Sequence, residues 1–262
     1  MRRGRVLGVI PARIASERLP QKPLHPLAGK PLIEWVWRRV ESLRFFDHLV
    51  IATDSDEIAD AVRGFGGAVE LTSPTHNSGT ERIAELDSRD AYAGFDCIVN
   101  VQGDEPFLQR EQIATAAQLV LDGWPIGTIA TPVGTLDRWK SPSVVKVTRR
   151  TDGAALYFSR APIPFRRDGD PSAAELASDS YLRHIGVYAY APDALRQWVS
   201  LPEHPLERTE RLEQLRPLAA GIAIGVGCVA STPEGVDTPE DAARAELLIR
   251  EMSKTLTSAA ET

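Results

Sequence analysis

With 262 residues, of which 43% are hydrophobic and 25% charged, the chain is long enough to bury a large core and too apolar to be disordered. Its formal net charge of −6 argues against nucleic acid or an anionic membrane surface as a partner, since either would favour a broad basic face. The two cysteines, Cys97 and Cys228, lie far apart without a C-x-x-C spacing, so neither a disulfide framework nor a structural zinc site is supported.

The first predicted element is a buried strand over residues 6–10, where the sequence is a continuous apolar run. The loop that follows carries four cations, Arg13, Arg18, Lys22 and Lys30. Because like charges repel and the ligands of α/β sheets bind beyond the carboxyl ends of strands, this loop favours an anion, and a triphosphate fits best. The loop is not a P-loop, because Pro31 follows Gly29-Lys30, and it lacks the three spaced glycines of a dinucleotide fingerprint.

Strands and helices then alternate as far as residue 133, which predicts a mostly parallel sheet flanked by helices. The predicted helices cover 31–42, 57–65, about 80–90 and 110–122, and the predicted strands cover 48–53, 68–71, 97–101 and 126–133. The glycines at 64, 66 and 67 precede a strand, so we interpret them as a helix C-terminus and not as a dinucleotide loop.

The second half of the chain departs from this alternation. Strand patterns over 144–147, 154–165 and 181–192, separated by a polar connector over 166–178, predict a smaller β-rich subdomain and a mobile connector. A charged helix over 205–218, a strand over 222–229 and a helix from Thr238 to about 252 complete the prediction. We therefore expect one domain over 1–252, with a subregion at about 140–218, and a disordered tail over 253–262.

A carboxylate is predicted to lie at the triphosphate site. Asp104 follows the buried strand 97–101, and its charge beside a triphosphate would be repulsive without a divalent cation between them, which indicates a magnesium site. The alternative is an aspartate that bonds its own backbone within the turn. Likewise, the loop 72–82 leads into a helix whose N-terminus could receive a base or a phosphate, although Ser78 could be no more than a helix cap.

The pattern P-A-R-x-x-S-x-R-L-P-x-K-P at 11–23 resembles the signature loop of sugar-activating nucleotidylyltransferases, specifically the 3-deoxy-manno-octulosonate (Kdo) cytidylyltransferase family. Further matches are H-x-S-G-T-E-R at 76–82, VQGDEP at 101–106, YFSRAPIP at 157–164, LRHIGVYAY at 182–190, E-x-L-E-Q-L-R at 210–216 and GVDTPED at 235–241. The resemblance covers residues 6 to about 250. It implies a Rossmann-like α/β nucleotidyltransferase fold and the reaction of CTP with Kdo to give CMP-Kdo and pyrophosphate, for lipopolysaccharide synthesis.

The resemblance also implies roles for individual residues. It implies catalytic roles for Arg13, Lys22, Asp104 and Asp237, with Asp104 and Asp237 holding Mg²⁺. The implied nucleotide-binding residues are Pro11, Ala12, Arg13, Arg18, Lys22, Thr53, Asp54, His76, Ser78, Gly79, Arg82, Gln102 and Gly103. The implied sugar-binding residues are Gln102, Arg160, His184, Tyr188, Glu213 and Gln214. A homodimer formed through the β-rich subdomain is implied as well.

Alternatives stay open from the sequence. Taken alone, Arg160 could be a surface cation and His184 a core histidine. Many members of the family carry glycine where this chain has Gln21, so the conformation of the loop at that point could differ. The competing functions are a cytidylyltransferase for sialic acid or an 8-amino Kdo analogue, and a non-catalytic nucleotide-binding regulator. Without an apparent membrane span or signal peptide in the sequence, we expect a cytoplasmic protein.

Overall fold

A computed structural model of the protein describes residues 4–16, 18–230 and 235–260, with side chains as far as Met252. The helices are α1 Leu32–Ser42, α2 Asp56–Gly64, α3 Gly79–Asp87, α4 Arg110–Leu121, α5 Leu136–Lys140, α6 Ala173–Leu176, α7 Pro192–Ser200, α8 Pro205–Glu210, α9 Leu215–Ala219 and α10 Pro239–Ala260. The strands are β1 Val6–Ala12, β2 Pro26–Leu27, β3 Lys30–Pro31, β4 His48–Thr53, β5 Val69–Leu71, β6 Cys97–Asn100, β7 Ile126–Pro132, β8 Lys146–Arg149, β9 Ala155–Ser159, β10 Leu182–Tyr190 and β11 Ile224–Cys228. None of the described helices combines the length and the apolar character that crossing a membrane requires.

The chain forms two compact units. The first contains residues 4–7, 87–100 and 110–230, and the second contains the described residues of 8–86, 101–109 and 235–260. The predicted α/β architecture with a mixed sheet flanked by helices is confirmed, since strands and helices alternate and both parallel and antiparallel pairs occur.

The first unit is built on a sheet in the order β11-β7-β10-β6. β11 runs parallel to β7, whereas β10 runs antiparallel to both of its neighbours. Helix α4 covers this sheet by packing against β7, β10 and β11. β8 pairs with the first residues of β10 and β9 pairs with β8, so these two antiparallel strands form an arm at the side of the sheet.

The second unit contains the strand order β1-β4-β5, with β4 and β5 in parallel. Helix α1 buries the apolar side chains that recur at helical spacing, Leu32, Ile33, Val36, Trp37 and Val40. Burial of each such side chain stabilises the fold by about 1.5–3 kcal/mol. The predicted C-terminus of α2 is confirmed: Gly66 has a φ of 82°, and the Gly67 N–H donates to the carbonyl of Val62 at 2.9 Å.

The predicted helix over 205–218 is wrong, because the chain forms α8 and α9 there instead. Arg211 ends α8 in the left-handed conformation, with a φ of 51°. A continuous helix would also place Pro217 against the carbonyl of Glu213 without an N–H to donate to it. The leucine spacing continues across both helices, which is why the sequence pattern resembles a single helix.

Three short helices lie where the sequence analysis predicted none. α5 and α6 begin at caps, Thr135 and Ser172, whose side chains accept hydrogen bonds from backbone N–H groups. α7 begins with Pro192 in its first turn and buries Leu195 and Trp198. The predicted strands 154–165 and 181–192 are accordingly shorter, ending at 159 and 190. α10 continues to Ala260, beyond the predicted end at 252, and disorder of the final ten residues stays a prediction.

Candidate active site

The cationic loop after β1 ends in a tight turn that orients Lys22. Gln21 precedes the turn Lys22–Leu24 in the left-handed conformation, with φ 51° and ψ 37°, so this glutamine adopts the backbone geometry that a glycine would favour. The Gln21 carbonyl accepts a hydrogen bond from the Leu24 N–H at 2.8 Å. Pro23 lies in the same turn and is buried. The turn therefore presents the side chain of Lys22 with only 19% of its surface exposed.

Lys22 joins the two aspartates that the sequence places 133 positions apart. Its Nζ lies 2.6 Å from Asp104 Oδ2 and 3.3 Å from Asp237 Oδ1. The guanidinium of Arg18 pairs with the other oxygen of Asp237. Residues from the β1 loop, from the segment after β6 and from the segment before α10 thus meet at one point of the second unit.

The electrostatics of this cluster favour the charged ammonium. Burial by itself lowers the pKa of Lys22, but the charges and hydrogen bonds of Asp104, followed by those of Asp237, outweigh burial and raise the pKa of Lys22 above its ordinary value. The carboxylates of Asp104 and Asp237 and the ammonium of Lys22 carry a net charge of −1. The exposed guanidinium of Arg18, which pairs with Asp237, neutralises this charge. The cluster is therefore a pre-assembled cation site that is filled by a lysine.

Close backbone packing brings the two aspartates together. A Cβ on Gly103 would lie 3.0 Å from the carbonyl oxygen of Pro11, and a Cβ on Gly235 would lie 3.0 Å from the carbonyl oxygen of Asp104. The N–H of Val236 donates to that same Asp104 carbonyl at 2.8 Å. Both glycines therefore precede an aspartate at a point where the backbone approaches another strand or turn closely.

The start of α10 fixes the second aspartate. The Thr238 hydroxyl accepts from the Asp241 N–H at 3.2 Å, while Asp241 Oδ2 accepts from the N–H groups of Thr238, at 2.9 Å, and Asp237, at 3.2 Å. This reciprocal capping confirms the predicted helix N-terminus at Thr238. It also leaves the carboxylate of Asp237 free to contact Arg18 and Lys22.

The other two cations of the predicted anion-binding loop differ in environment. Arg13 is exposed and forms no ion pair with any described side chain. Lys30 instead pairs with Glu34 at 3.4 Å and lies over the ring of Trp35, 5.2 Å from its centroid. The carboxylate of Glu34, four residues further along the chain, thus pairs with Lys30, and the binding of an anion by this loop stays a prediction.

A buried ion pair organises the predicted base-recognition loop. Arg82 is 3% exposed, and its guanidinium donates to Asp54 Oδ2 at 2.7 Å and to the hydroxyl of Thr72. Thr72 is tied in turn to the carbonyl of Thr53 by its N–H at 2.8 Å and by its hydroxyl at 3.1 Å. Arg82 and Asp54 are thus engaged with each other, which joins the end of β4 to the loop over 72–78. The second oxygen of Asp54 is buried, with no hydrogen-bond partner among the described residues.

The remainder of this loop is also held by carboxylates. His76 Nε2 lies 2.6 Å from Glu85 Oε2, and the same oxygen accepts the N–H of Ser73 at 2.8 Å. Ser78 accepts the Glu81 N–H at 3.2 Å and is a helix cap, as the simpler interpretation of the sequence has it. Gly79 approaches Pro11, so a Cβ at 79 would lie 3.1 Å from the proline ring. The predicted nucleotide-binding residues of the β1 and α3 segments therefore lie beside one another.

Three of the predicted nucleotide-binding residues lie at strand ends or in a turn. Ala12 is buried at the end of β1, and Thr53 is fully buried at the end of β4. The carbonyl of Gln102 accepts the Glu105 N–H at 3.3 Å, which closes the turn that presents Asp104.

Apart from Gln102, which lies in the second unit, the predicted sugar-binding residues belong to the first unit. There the guanidinium of Arg160 donates to the carbonyls of Glu210 at 2.7 Å, Pro142 at 3.0 Å and Arg211 at 3.4 Å. The carboxylate of Glu210 accepts the backbone N–H of Arg160 at 2.9 Å and the hydroxyl of Ser159 at 2.6 Å. Three of the five N–H donors of Arg160 are thus used within the protein.

The buried ammonium of Lys146 donates a hydrogen bond to the carbonyl of Arg160. The sequence motifs did not identify Lys146 as a residue of this site. Its Nζ is fully buried and donates to the carbonyls of Ser141, Val144 and Arg160 at 2.8, 2.6 and 2.6 Å. Burial lowers the pKa of Lys146 to about 8. A lysine within an otherwise apolar strand run is the available sequence signal for such a residue. The sequence could also have identified Glu210, since this residue begins the motif at 210–216.

His184 and Tyr188 lie in an aromatic cluster on β10. The His184 ring packs against Phe158 and Tyr188 with centroid separations of 5.1 and 5.3 Å, and Tyr188 packs edge-on against Trp198 at 5.9 Å. Burial lowers the pKa of His184 to about 3, so the imidazole is neutral at physiological pH. Gln214 is buried at the start of α9, whereas the neighbouring Glu213 is exposed.

The donor set of the second unit fits a divalent cation. The described residues contain no group of three or more His, Cys, Asp or Glu side chains suited to a metal. Asp104 and Asp237 are the candidate pair because both contact the ammonium of Lys22. Mg²⁺ in nucleotide enzymes is typically bound through one or two carboxylates together with substrate phosphates and water. The ammonium of Lys22 between both carboxylates is a stand-in cation at that place.

The structure is a mixed-sheet α/β protein in which one lysine and two aspartates converge, and its similarity to known proteins specifies its class. Residues 7–224 match the family described as cytidylyltransferase, so the chain belongs to the cytidylyltransferase family. Within it, a relative from Gemmatimonas aurantiaca named 3-deoxy-manno-octulosonate cytidylyltransferase is 51% identical over 92% of both chains. One of the same name from Syntrophotalea carbinolica is 47% identical over 94% of this chain and 98% of its own. The family predicted from the sequence motifs is confirmed.

Solved structures agree with this family assignment. The structure of a CMP:2-keto-3-deoxy-manno-octonic acid synthetase complexed with CTP is 38% identical, with a TM-score of 0.85 over 95% of this chain and 99% of that chain. The 4-diphosphocytidyl-2C-methyl-D-erythritol synthase of Anaerococcus prevotii is 14% identical, with a TM-score of 0.59 over 94% and 99%, and shares the fold alone. The predicted nucleotidyltransferase fold is thereby confirmed.

Proposed function

We propose that the protein activates 3-deoxy-manno-octulosonate with CTP, giving CMP-Kdo and pyrophosphate for lipopolysaccharide synthesis. The single observation that carries the proposal is the convergence of Lys22, Asp104 and Asp237 within a chain of the cytidylyltransferase family. The relatives named for Kdo, at 51% and 47% identity, disfavour sialic acid or an 8-amino analogue as the substrate. They equally disfavour a non-catalytic regulator.

The reaction is a nucleotidyl transfer. The anomeric oxygen of the sugar forms a bond to the α-phosphorus of CTP, the bond from that phosphorus to the β-phosphate bridging oxygen breaks, and pyrophosphate leaves while the anomeric hydroxyl loses its proton. Such a transfer needs positioning and charge stabilisation more than a covalent nucleophile. Exposed Arg13, together with Arg18 and Lys22, would hold the triphosphate and stabilise the charge on the departing pyrophosphate.

Asp104 and Asp237 would hold the catalytic Mg²⁺. When bound, the ion would supply Lewis-acid stabilisation of phosphate charge and lower the pKa of the sugar hydroxyl. The protein contributes the close approach of the two segments that carry these carboxylates, which the Val236 N–H bond to the Asp104 carbonyl stabilises. It also contributes a resident ammonium that keeps the carboxylates paired until substrate arrives.

Recognition would be divided between two groups of residues. We assign the cytosine and ribose to the loop ordered by Arg82, Asp54 and His76. The acidic sugar is assigned to Arg160, His184, Tyr188, Glu213 and Gln214, with Gln102 serving either substrate. The carbonyl-bound guanidinium of Arg160 retains two N–H groups for a sugar or carboxylate contact.

The enzyme would work in the cytoplasm as a homodimer. CTP is a cytoplasmic nucleotide, which supports that location. In the predicted β-rich subregion Leu156 and Phe165 are 56% and 83% exposed, and exposed apolar side chains of this size favour burial against a second copy. Sedimentation equilibrium is expected to give twice the chain mass, and a monomer at micromolar concentration would contradict the dimer.

The experiment for the function is pyrophosphate release measured with CTP and each sugar offered separately. Kdo is expected to support turnover, whereas sialic acid and the 8-amino analogue support little. Chelation of divalent cations should stop the reaction, and added Mg²⁺ should restore it. Tight CTP binding without turnover on any sugar would contradict the proposed activity.

A further inference from the structure

An irregularity in β10 brings the side chains of His184 and Tyr188 together. Opposite β7, Ile185 faces Ile129 but Tyr188 faces Thr128, so the two residues between them have no opposite partner. His184 and Tyr188 are four positions apart, which on a regular strand corresponds to about 13 Å. Their ring centroids are 5.3 Å apart instead. The bulge therefore closes the distance between two residues of the proposed sugar site.

Thr128 of β7 holds this bulge. Its side chain is fully buried, and its Oγ1 lies 2.8 Å from the carbonyl oxygen of Val187, within the bulge, and 3.4 Å from that of Ile185. A carbonyl oxygen only accepts, so the proton between Oγ1 and the closer carbonyl of Val187 comes from the threonine hydroxyl. The one donor of Thr128 is thereby used.

The same hydroxyl determines the tautomer of His184. Its Oγ1 lies 3.0 Å from His184 Nε2. Because the hydroxyl proton is directed to Val187, Oγ1 has only lone pairs to offer the imidazole, and Nε2 must carry the ring proton. Burial lowers the pKa of His184 to about 3, so the ring holds a single proton at neutral pH. Nδ1 is then an unprotonated acceptor, with no hydrogen-bond partner among the described residues.

We propose that Thr128 is a positioning residue for the sugar site, which pins the β10 bulge and fixes His184 as the Nε2–H tautomer so that Nδ1 accepts a hydrogen bond from a sugar hydroxyl. The proposal deepens the proposed function and rests on it for the identity of the sugar. It assigns His184 to a hydroxyl of the substrate and not to its carboxylate, because a neutral imidazole with a free lone pair repels an anion and attracts a donor.

The tautomer is tested first, in the free protein. Histidine is labelled with ¹⁵N, the His184 signals are assigned by their loss in His184→Gln, and two-bond ¹H–¹⁵N correlations identify the protonated nitrogen. We expect Nε2 to be protonated, with no change of the signal between pH 6 and pH 8. A proton on Nδ1, or an imidazole that titrates in this range, would overturn the proposal.

Kinetics of a matched pair of threonine variants tests the role in binding. Thr128→Val should raise KM for Kdo about tenfold, the effect of one lost oriented hydrogen bond, and leave KM for CTP unchanged. Thr131→Val is the control, because Thr131 is equally buried on the same strand and its hydroxyl has no hydrogen-bond partner among the described residues. It should leave both KM values unchanged.

Thr128→Ser is the conservative control in case Thr128→Val fails to fold. It keeps the hydroxyl and should keep the Nε2–H tautomer and the sugar KM. An unchanged KM for Kdo in folded Thr128→Val would overturn the positioning role. So would an equally large rise of the KM for Kdo in Thr131→Val. A wild-type enzyme that does not turn over Kdo would overturn the proposed function together with the sugar contact, whereas the spectrum of the free protein decides the tautomer independently.

Discussion

The ammonium of Lys22 lies 2.6 Å from Asp104 Oδ2, at the place where the proposed mechanism requires a divalent cation. It also reaches Asp237 at 3.3 Å, so one positive charge satisfies both carboxylates in the free protein. Two like-charged aspartates packed this closely repel one another without a cation between them. In the proposed mechanism lysine and metal would therefore compete for the same pair of carboxylates, and an arriving triphosphate would give Lys22 an alternative partner.

Replacing Lys22 should strengthen metal binding in the absence of nucleotide. In Lys22→Met both carboxylates lose their resident cation, and we expect Mn²⁺ to bind at least about tenfold more tightly, as one competing charge-assisted contact is removed. Titration followed by electron paramagnetic resonance measures this affinity. Lys30→Met is the matched control, since Lys30 pairs with Glu34. Equal Mn²⁺ affinity in wild type and Lys22→Met would show that the carboxylates are not the metal site.

The buried pair of Arg82 and Asp54 should be important for stability. Arg82→Met leaves the Asp54 carboxylate largely buried without its partner, and loss of one member of a buried pair costs about 3–5 kcal/mol of unfolding free energy. Urea denaturation measures the loss. Arg63→Met removes an exposed pair with Asp60, whose side chains are 55% and 75% exposed, and should cost less than about 1 kcal/mol. Similar losses in both variants would contradict a structural role for the buried pair.

Gln21 carries backbone strain that a glycine would relieve. A non-glycine residue in the left-handed region costs about 1–2 kcal/mol, and the greater freedom of glycine in the unfolded chain offsets part of the gain. Gln21→Gly should therefore raise the unfolding free energy by up to about 1 kcal/mol. Arg44→Gly, at a second left-handed position with a φ of 47°, should show a similar gain. A clear loss of stability in Gln21→Gly would mean that the glutamine side chain contributes more than its strain costs.

His184 should make the protein less stable in mild acid. Its pKa is lowered to about 3 in the folded protein, against about 6.5 when unfolded, so the unfolded chain binds a proton first as the pH falls below 6.5. Below pH 6.5 each further pH unit lowers the free energy of unfolding by up to about 1.36 kcal/mol, which amounts to about 2 kcal/mol between pH 6.5 and 5. Denaturation curves at several pH values should show a shallower decline in His184→Gln than in wild type. Parallel declines would indicate that His184 titrates normally.

The parts of the fold that the sequence predicts well are those with strong local signals. The strand His48–Thr53 and the helix of α4 follow from continuous or periodic apolar residues, and the start of α10 follows from its Thr-Pro-Glu-Asp cap. The break between α8 and α9 was missed because it depends on the left-handed Arg211, which no residue type announces. Local periodicity cannot show a change of direction made by one backbone angle.

The residues of the candidate site likewise divide into those that sequence motifs identify and those whose roles depend on tertiary contacts. Motifs identified Asp104 and Asp237, yet their shared contact with Lys22 depends on the close approach of Gly235 to the Asp104 carbonyl, which is a tertiary relationship. The roles of Lys146 and Thr128 depend on strand register and on a bulge. A buried hydroxyl among apolar strand residues carries no such information in the sequence.

The most direct measurement is pyrophosphate release from CTP and Kdo across a Mg²⁺ titration, with wild type and Asp104→Asn compared side by side. Wild type should turn over with saturable dependence on Mg²⁺, and folded Asp104→Asn should lose about a hundredfold or more in kcat, as expected for a group that stabilises charge in the transition state. Near-normal turnover by Asp104→Asn, with the same Mg²⁺ dependence, would contradict the metal-holding role of the two aspartates.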